Sequence, residues 1–385
     1  MVKHLYASKK SSLLLIAALL FASLIPSLGA QAKPLWPGAR YTDQDREQAL
    51  ERGLQFIGKI ASDPKYFERQ GYDLLWCFYT ISTTARSDKL RAMAREMGVE
   101  RARQWRHDHP QVPTGDPEEL AAFVSGEKSV DLLLGDSDPA IKHQTQEAAN
   151  RFSALDFLGF DPSLEPPPSS IPISCDGCSR REARYAPCPK CTSKDFRSKY
   201  DVWLDALITT YSGDLYGVRL GASYDDVLQW ISAMRPYPRA AKIDEDHFDD
   251  VIYAITHVVY TLDDYGTYTL SPQSLSREHA YLKRNLRQAI RYNDGELLGE
   301  FLDTLRAFGH DESDSDMQAA IDYLLSHQNP DGSWGDPQEE DVYTRYHATW
   351  TAIDGLREYA FQKQRTVFPA VLHGSNGKSQ RRGTE

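Results

Sequence analysis

Basic residues are in short supply in this chain: 44 lysines and arginines face 55 aspartates and glutamates across 385 residues, for a net charge of −11. An acidic surface repels phosphate backbones and anionic headgroups, which excludes nucleic acid and membrane surfaces as expected partners. Long apolar runs are also absent after residue 25, so no membrane span is expected in the body of the chain. No sustained alternation of β-branched and polar residues occurs, which excludes a β-sandwich or barrel. Cysteine is sparse, with five in all, and four of them fall between positions 175 and 191.

The first 32 residues are the one apolar exception. Lys3, Lys9 and Lys10 precede the run Leu13 to Ile25, followed by Pro26 and the small-residue end Ala30-Gln31-Ala32. That order is a secretory signal peptide, and its apolar stretch is too short to cross a bilayer as a helix. Cleavage is expected after Ala32, which gives a soluble periplasmic or secreted product beginning at Lys33. The lost segment carries three lysines and no acid, so the mature chain is still more acidic.

Helical periodicity dominates what remains. Leu50, Leu54, Ile57 and Ala61 recur at three- and four-residue spacing behind a Thr42 N-cap, with Pro64 past the end. Asp116-Pro117 and Asp138-Pro139 each place a capping acid before a first-turn proline. Further helices are expected at about 72–84, 87–105, 199–211, 224–234, 246–263, 276–292 and 294–308. The fold class is therefore all-α, built of helical hairpins, at residues 33–373. A proline- and serine-rich insertion interrupts it at about 159–198, and the polar stretch 374–385 is expected to be disordered.

The insertion ends in Cys175, Cys178, Cys188 and Cys191, two C-x2-C pairs separated by nine residues. Facing pairs of this kind assemble a tetrahedral thiolate site, a structural zinc knuckle. An oxidising compartment equally allows two disulfides that cross-link the pairs. Cys77, inside Leu74-Leu75-Trp76-Cys77-Phe78, reads as a buried apolar thiol.

Near the C-terminus, Gln328-Asn329-Pro330-Asp331-Gly332-Ser333-Trp334-Gly335 follows a Tyr323-Leu324-Leu325 helix. This resembles the glutamine-tryptophan repeat of squalene-hopene and diterpene cyclases, whose α/α barrels are related to protein prenyltransferase β subunits. The resemblance implies a single α/α toroid; the alternative is an irregular helical-repeat solenoid with open ends. The acidic motifs of those cyclases, Asp-x-Asp-Asp and Asp-Asp-x-x-Asp, are absent. Tyr346-His347, within Asp341 to Trp350, is similar to the prenyltransferase segment whose histidine ligates catalytic zinc. That carries over His347 alone, since the partner Asp-x-Cys motif has no counterpart.

On the helix at 246–263, His247, Asp250, His257 and Asp264 share one narrow stripe. His257, His347 and Asp250 or Asp264 are therefore the candidate catalytic set. They are expected either to act in acid/base chemistry or to hold a second divalent metal (zinc, iron or manganese) on His257 and His347. Asp294-Gly295-Glu296 and Glu300-x-x-Asp303 form a weaker set, because acids at helix starts usually cap. The expected function is an exported toroid enzyme with a central pocket acting on a small-molecule, lipid or polymer substrate. Toroids of this general shape also serve exported polysaccharide lyases and hydrolases. The alternative is a non-enzymatic periplasmic scaffold or partner-binding protein.

The cysteine reading has a direct check. Thiol titration of unreduced, denatured and chelated protein should count five free thiols if the cluster binds zinc, and Cys77 alone if it is disulfide-bonded.

Overall fold

The computed structural model describes residues 33–172 and 196–365. The leader, the four clustered cysteines and the C-terminal tail lie outside the described residues. What is described is mostly helical, as the periodicity requires. No described helix is long and apolar enough to cross a membrane.

Helix α1 (Asp43–Ser62) starts with the Thr42 cap, completed by Asp45 as a capping box. Helix α2 (Pro64–Thr84) follows after one residue. Asp63 caps it and Pro64 occupies the first turn, so the proline that ends α1 also starts α2, about two turns earlier than the expected Tyr72. A first-turn proline lacks only an N–H that would have no helical partner. The chain continues through α3 (Asp88–Asp108), α4 (Pro117–Leu134), α5 (Pro139–Ala149) and α6 (Ala154–Leu158), with Asp116 and Asp138 as the expected caps.

The two ends of the insertion are pinned together by short antiparallel strands, β1 (Ser170–Pro172) and β2 (Phe196–Ser198). Helix α7 (Lys199–Tyr216) leaves directly from β2. The single helix expected at 224–234 is instead two, α8 (Tyr224–Leu228) and α9 (Ile231–Met234). The break falls at Gln229 and Trp230, whose side chains both donate to the Pro162 carbonyl, at 3.1 and 2.7 Å. Then come α10 (Glu245–Asp263), α11 (Ser276–Tyr292), α12 (Gly295–Ala307), α13 (Ser315–Ser326) and α14 (Val342–Leu356).

Every second long helix packs on the next of its kind: α2 on α4, α4 on α7, α7 on α10, α10 on α12, α12 on α14, and α14 on α2. The intervening elements, α3, α11 and α13, lie against pairs of these, and α1 lies against α14 and α2. Three features hold the first and last helices together. Gln328 donates to the Ala49 carbonyl of α1 at 2.8 Å and to the Gly332 carbonyl at 2.9 Å. Trp334 is fully buried, donates to the Leu324 carbonyl, and occupies the space beside Gly53 of α1. Past α14, Arg86 donates to the Glu358 carbonyl and Ala360 to the Thr84 carbonyl, both at 2.8 Å. Gln328 and Trp334 thus lock the last hairpin onto the first helix, and Gly332 makes the turn at φ +94°.

Helices α12 and α14 cross with backbone close to backbone. A Cβ on Gly299 would lie 2.2 Å from the Thr351 carbonyl oxygen, backbone that cannot swing aside. Gly299→Ala is therefore expected to destabilise the protein by more than about 2 kcal/mol in urea unfolding, from overpacking. Gly295→Ala, whose new Cβ would meet Leu324 at an ordinary 3.7 Å, should be neutral or gain about 0.5 kcal/mol. Equal stability of the two variants would contradict this crossing.

Candidate functional site

The helices that pack on one another in sequence carry an unusual number of ionisable groups on their shared interior. Glu296, in the first turn of α12, is their hub. Its Oε1 lies 2.8 Å from Nδ1 of His347 on α14, and the same oxygen accepts the Tyr253 hydroxyl of α10. Tyr343 stacks on the His347 ring, with centroids 5.0 Å apart and planes 22° apart, which fixes the imidazole's tilt. One turn along α12, fully buried Glu300 accepts the Thr256 hydroxyl of α10 at 2.5 Å.

Across from this hub, Asp73 of α2 accepts the Tyr346 hydroxyl of α14 at 2.8 Å. Lys128 of α4 is buried: its Nζ donates to Ser212 of α7 at 3.2 Å and sits 3.6 Å from the centroid of the Trp76 ring. Tyr72, Asp73, Asp205, His257, Glu296 and Tyr343 each keep part of their surface accessible even though they belong to the interior helices.

Burial and charge set the protonation of these groups. Burial alone would depress the His347 imidazole, but Glu296, with Asp73 and Glu300 behind it, outweighs that and raises it to about 9. His347 is therefore an imidazolium at neutral pH. Burial raises the Asp73 carboxyl, against the lowering pull of His347, Tyr346 and Lys128. Burial lowers the Lys128 ammonium to about 7, against the pull of Asp73 and Asp264.

The sequence candidates are distributed unevenly around this site. His347 sits in it. His257 lies beside it on α10: its Nδ1 is 2.9 Å from the Tyr253 carbonyl oxygen, and its ring lies edge-on to Tyr260. Asp264 is the left-handed C-cap of α10 and accepts the Tyr211 hydroxyl, at the opposite end of that helix from Asp250. Asp250 lies close enough to Asp201 of α7 to add to the rise that burial and Asp205 impose on that carboxyl. His247 is exposed and turned back on its own cap, Asp244, so it leaves the stripe. Among the described residues, no group of three or more His, Cys, Asp or Glu side chains is disposed to hold a metal.

Glu296 and Glu300, the weaker set in the sequence, hold the centre. Asp73 and Lys128 were not singled out at all. Their signal was a lone charge inside an apolar stretch, Tyr72-Asp73-Leu74-Leu75 and Val124-Ser125-Gly126-Glu127-Lys128-Ser129-Val130. Cys77 is buried and free, as its neighbours implied, and burial pushes its thiol well above the usual range.

A second buried network lies near the C-terminal ends of the same helices. Arg357 donates to Asp354 at 2.6 Å and to Thr84 of α2 at 2.7 Å. Burial, with Asp354 nearby, raises Asp303 to about 7. This network joins α14 and α2 and is read as structural.

A raised histidine contributes stability that is complete below its unfolded value of about 6.5 and is lost as pH rises through about 9. The His347 contribution is on the order of 3 kcal/mol. The unfolding free energy should therefore fall by that order between pH 7 and 10, and an NMR titration should place His347 near 9. In Glu296→Gln, burial acts with less opposition and the titration should drop towards or below the ordinary imidazole range. A His347 signal that titrates normally in both proteins would contradict the ion pair.

Comparison with known proteins adds one match. Residues 226–357 match a family described as a domain of unknown function (DUF6895). That segment covers about a third of the chain, from α8 to the end of α14, and includes Tyr253, His257, Glu296 and His347 but neither Asp73 nor Lys128. No curated protein and no solved structure matches the chain.

Proposed function

We propose that this protein is an exported α/α-toroid enzyme that performs acid/base chemistry on a neutral, hydroxyl-rich substrate in a pocket along the ring axis. The observation that carries this reading is the pair of carboxylates Asp73 on α2 and Glu296 on α12, the first raised by burial and the second paired with His347, which acts on both. The toroid reading is supported by the cyclic packing order, in which α14 returns to α2; an open solenoid would leave those two helices apart. The resemblance of Gln328–Trp334 to the cyclase repeat agrees with it, because the element ties the last hairpin to α1.

The roles follow from the environments. Asp73, raised by burial, is the group suited to hold a proton and donate it to a leaving oxygen. Glu296 accepts hydrogen bonds from His347 and Tyr253, the arrangement of an ionised carboxylate, and serves as base or nucleophile. His347 orients Glu296 and supplies positive charge, which leaves it unsuited to ligating a metal while it is an imidazolium.

The lining is acidic and aromatic. Carboxylates accept hydrogen bonds from substrate hydroxyls, and the partly exposed Tyr72 and Tyr343 add aromatic surface of the kind sugars stack on. The interior cations face carboxylates or Trp76, so a polyuronate or a prenyl diphosphate would meet repulsion.

The test is a panel of neutral and acidic oligosaccharides with wild-type protein, Asp73→Asn and Glu296→Gln, all confirmed folded by circular dichroism. Turnover of a neutral glycan that falls at least a hundredfold in both variants supports the reading. Turnover restricted to acidic glycans, undiminished turnover in either variant, or no turnover on any substrate would overturn it.

A further inference from the structure

Away from the ring interior, two histidines meet at a contact that the proposed acid/base chemistry does not use. His279 is in the first turns of α11. His310 lies just beyond α12, where Gly309 takes φ +88° and the His310 amide donates back to the Leu305 carbonyl at 3.0 Å. That left-handed turn aims the His310 imidazole at α11. The two Nε2 atoms are 2.8 Å apart, with the rings 24° from parallel. Phe308 packs edge-on against His279 and limits its rotation. Both side chains are half-buried, so solutes reach them.

We propose that His279 and His310 form a binding site for a first-row divalent transition metal of the zinc, nickel or copper class, with water completing the coordination. Two imidazole nitrogens bonded to one such ion at about 2.0–2.1 Å are roughly 2.9 Å apart at a right angle and roughly 3.3 Å apart at a tetrahedral one. With centroids 5.1 Å apart the two Nε2 atoms meet head-on, so to admit the ion the rings must either part by about 1.3 Å along that line or each swing off it until the lone pairs converge. The contact as it stands shares one proton between the two Nε2 atoms; on metal binding that ring takes its proton on Nδ1 instead, and both Nε2 lone pairs become ligands. His310 Nδ1 lies 3.5 Å from Asp314 Oδ2, the outer carboxylate that favours this tautomer.

The charges around the pair are Lys283 on α11 and Asp311 and Asp314 after α12. Lys283 opposes a bound cation but is itself drawn to Asp314 at 3.4 Å. Burial is the main influence lowering both imidazoles, with His310 and Lys283 acting on His279, and Lys283 acting on His310 against Asp314 and Asp311. Both rings are accordingly neutral at pH 7, the state a ligand needs.

The experiment is calorimetric titration of nickel(II) into the untagged mature chain at pH 7.5, with thiols capped in every sample to silence the cysteine cluster. His279→Ala and His310→Ala should each weaken one binding event at least tenfold, and the double variant should weaken it no further than the stronger single effect. Unchanged binding in either single variant overturns the site. Should an alanine variant fail to fold, copper(II) electron paramagnetic resonance on the wild-type chain decides: coupling to two imidazole nitrogens is expected, and coupling to one or none overturns the proposal.

Discussion

Glu296 makes one electrostatic unit of three helices, because its carboxylate takes up both the His347 imidazolium of α14 and the Tyr253 hydroxyl of α10. A charged pair this enclosed is stable only if both members keep their partners; removing one strands the other at a cost of several kcal/mol. The backbone therefore has to deliver α12 and α14 to each other with little tolerance. Gly299 and Gly355 do that, since their lack of side chains lets the two helices approach until a Cβ would strike backbone. The close crossing and the ion pair are one constraint seen at two points along the same helices.

The same logic extends around the interior. Asp73, Lys128 and His347 each shift in the direction their surroundings impose: up for the acid, down for the buried ammonium, up for the imidazole that faces carboxylates. Neighbouring groups thus shift in opposite senses. A purely structural interior has no need of that, because an apolar pair of equal volume is generally as stable. The Arg357 network differs in its cation, an arginine bonded to Asp354 and Thr84, although Asp303 there is raised as well.

Much of the architecture was readable in the sequence because helix starts are written locally. Thr42, Asp116 and Asp138 cap where they were expected to, and periodicity located the long helices. What escaped was set by distant contacts. The break at Gln229 coincides with its bond to the Pro162 carbonyl, 67 residues away, and no local pattern encodes it. The stripe on α10 was correctly a face of one helix, yet a helix wheel cannot say that His247 would lie outside the packed region while Tyr253, off the stripe, would reach Glu296. The sequence points to His347 only through a resemblance, and an acid in a first turn, as its partner is, usually reads as a cap. Glu296 is in a first turn and is also the hub, so the two roles are not exclusive.

The family match divides the interior unequally. Residues 226–357 contain the Glu296 hub complete, with its imidazolium and its tyrosine, so the orientation of that carboxylate depends only on segments inside the match. The opposing acid, Asp73, comes from α2, and the lysine from α4. Helix α14 belongs to both halves: it holds His347 against Glu296 and, one residue earlier, Tyr346 against Asp73. Adjacent residues on a helix point about 100° apart, so α14 can face α12 and α2 at once. A single helix thereby sets the position of both carboxylates, and the seal that Trp334 makes against Gly53 of α1 fixes that helix relative to the first half of the chain.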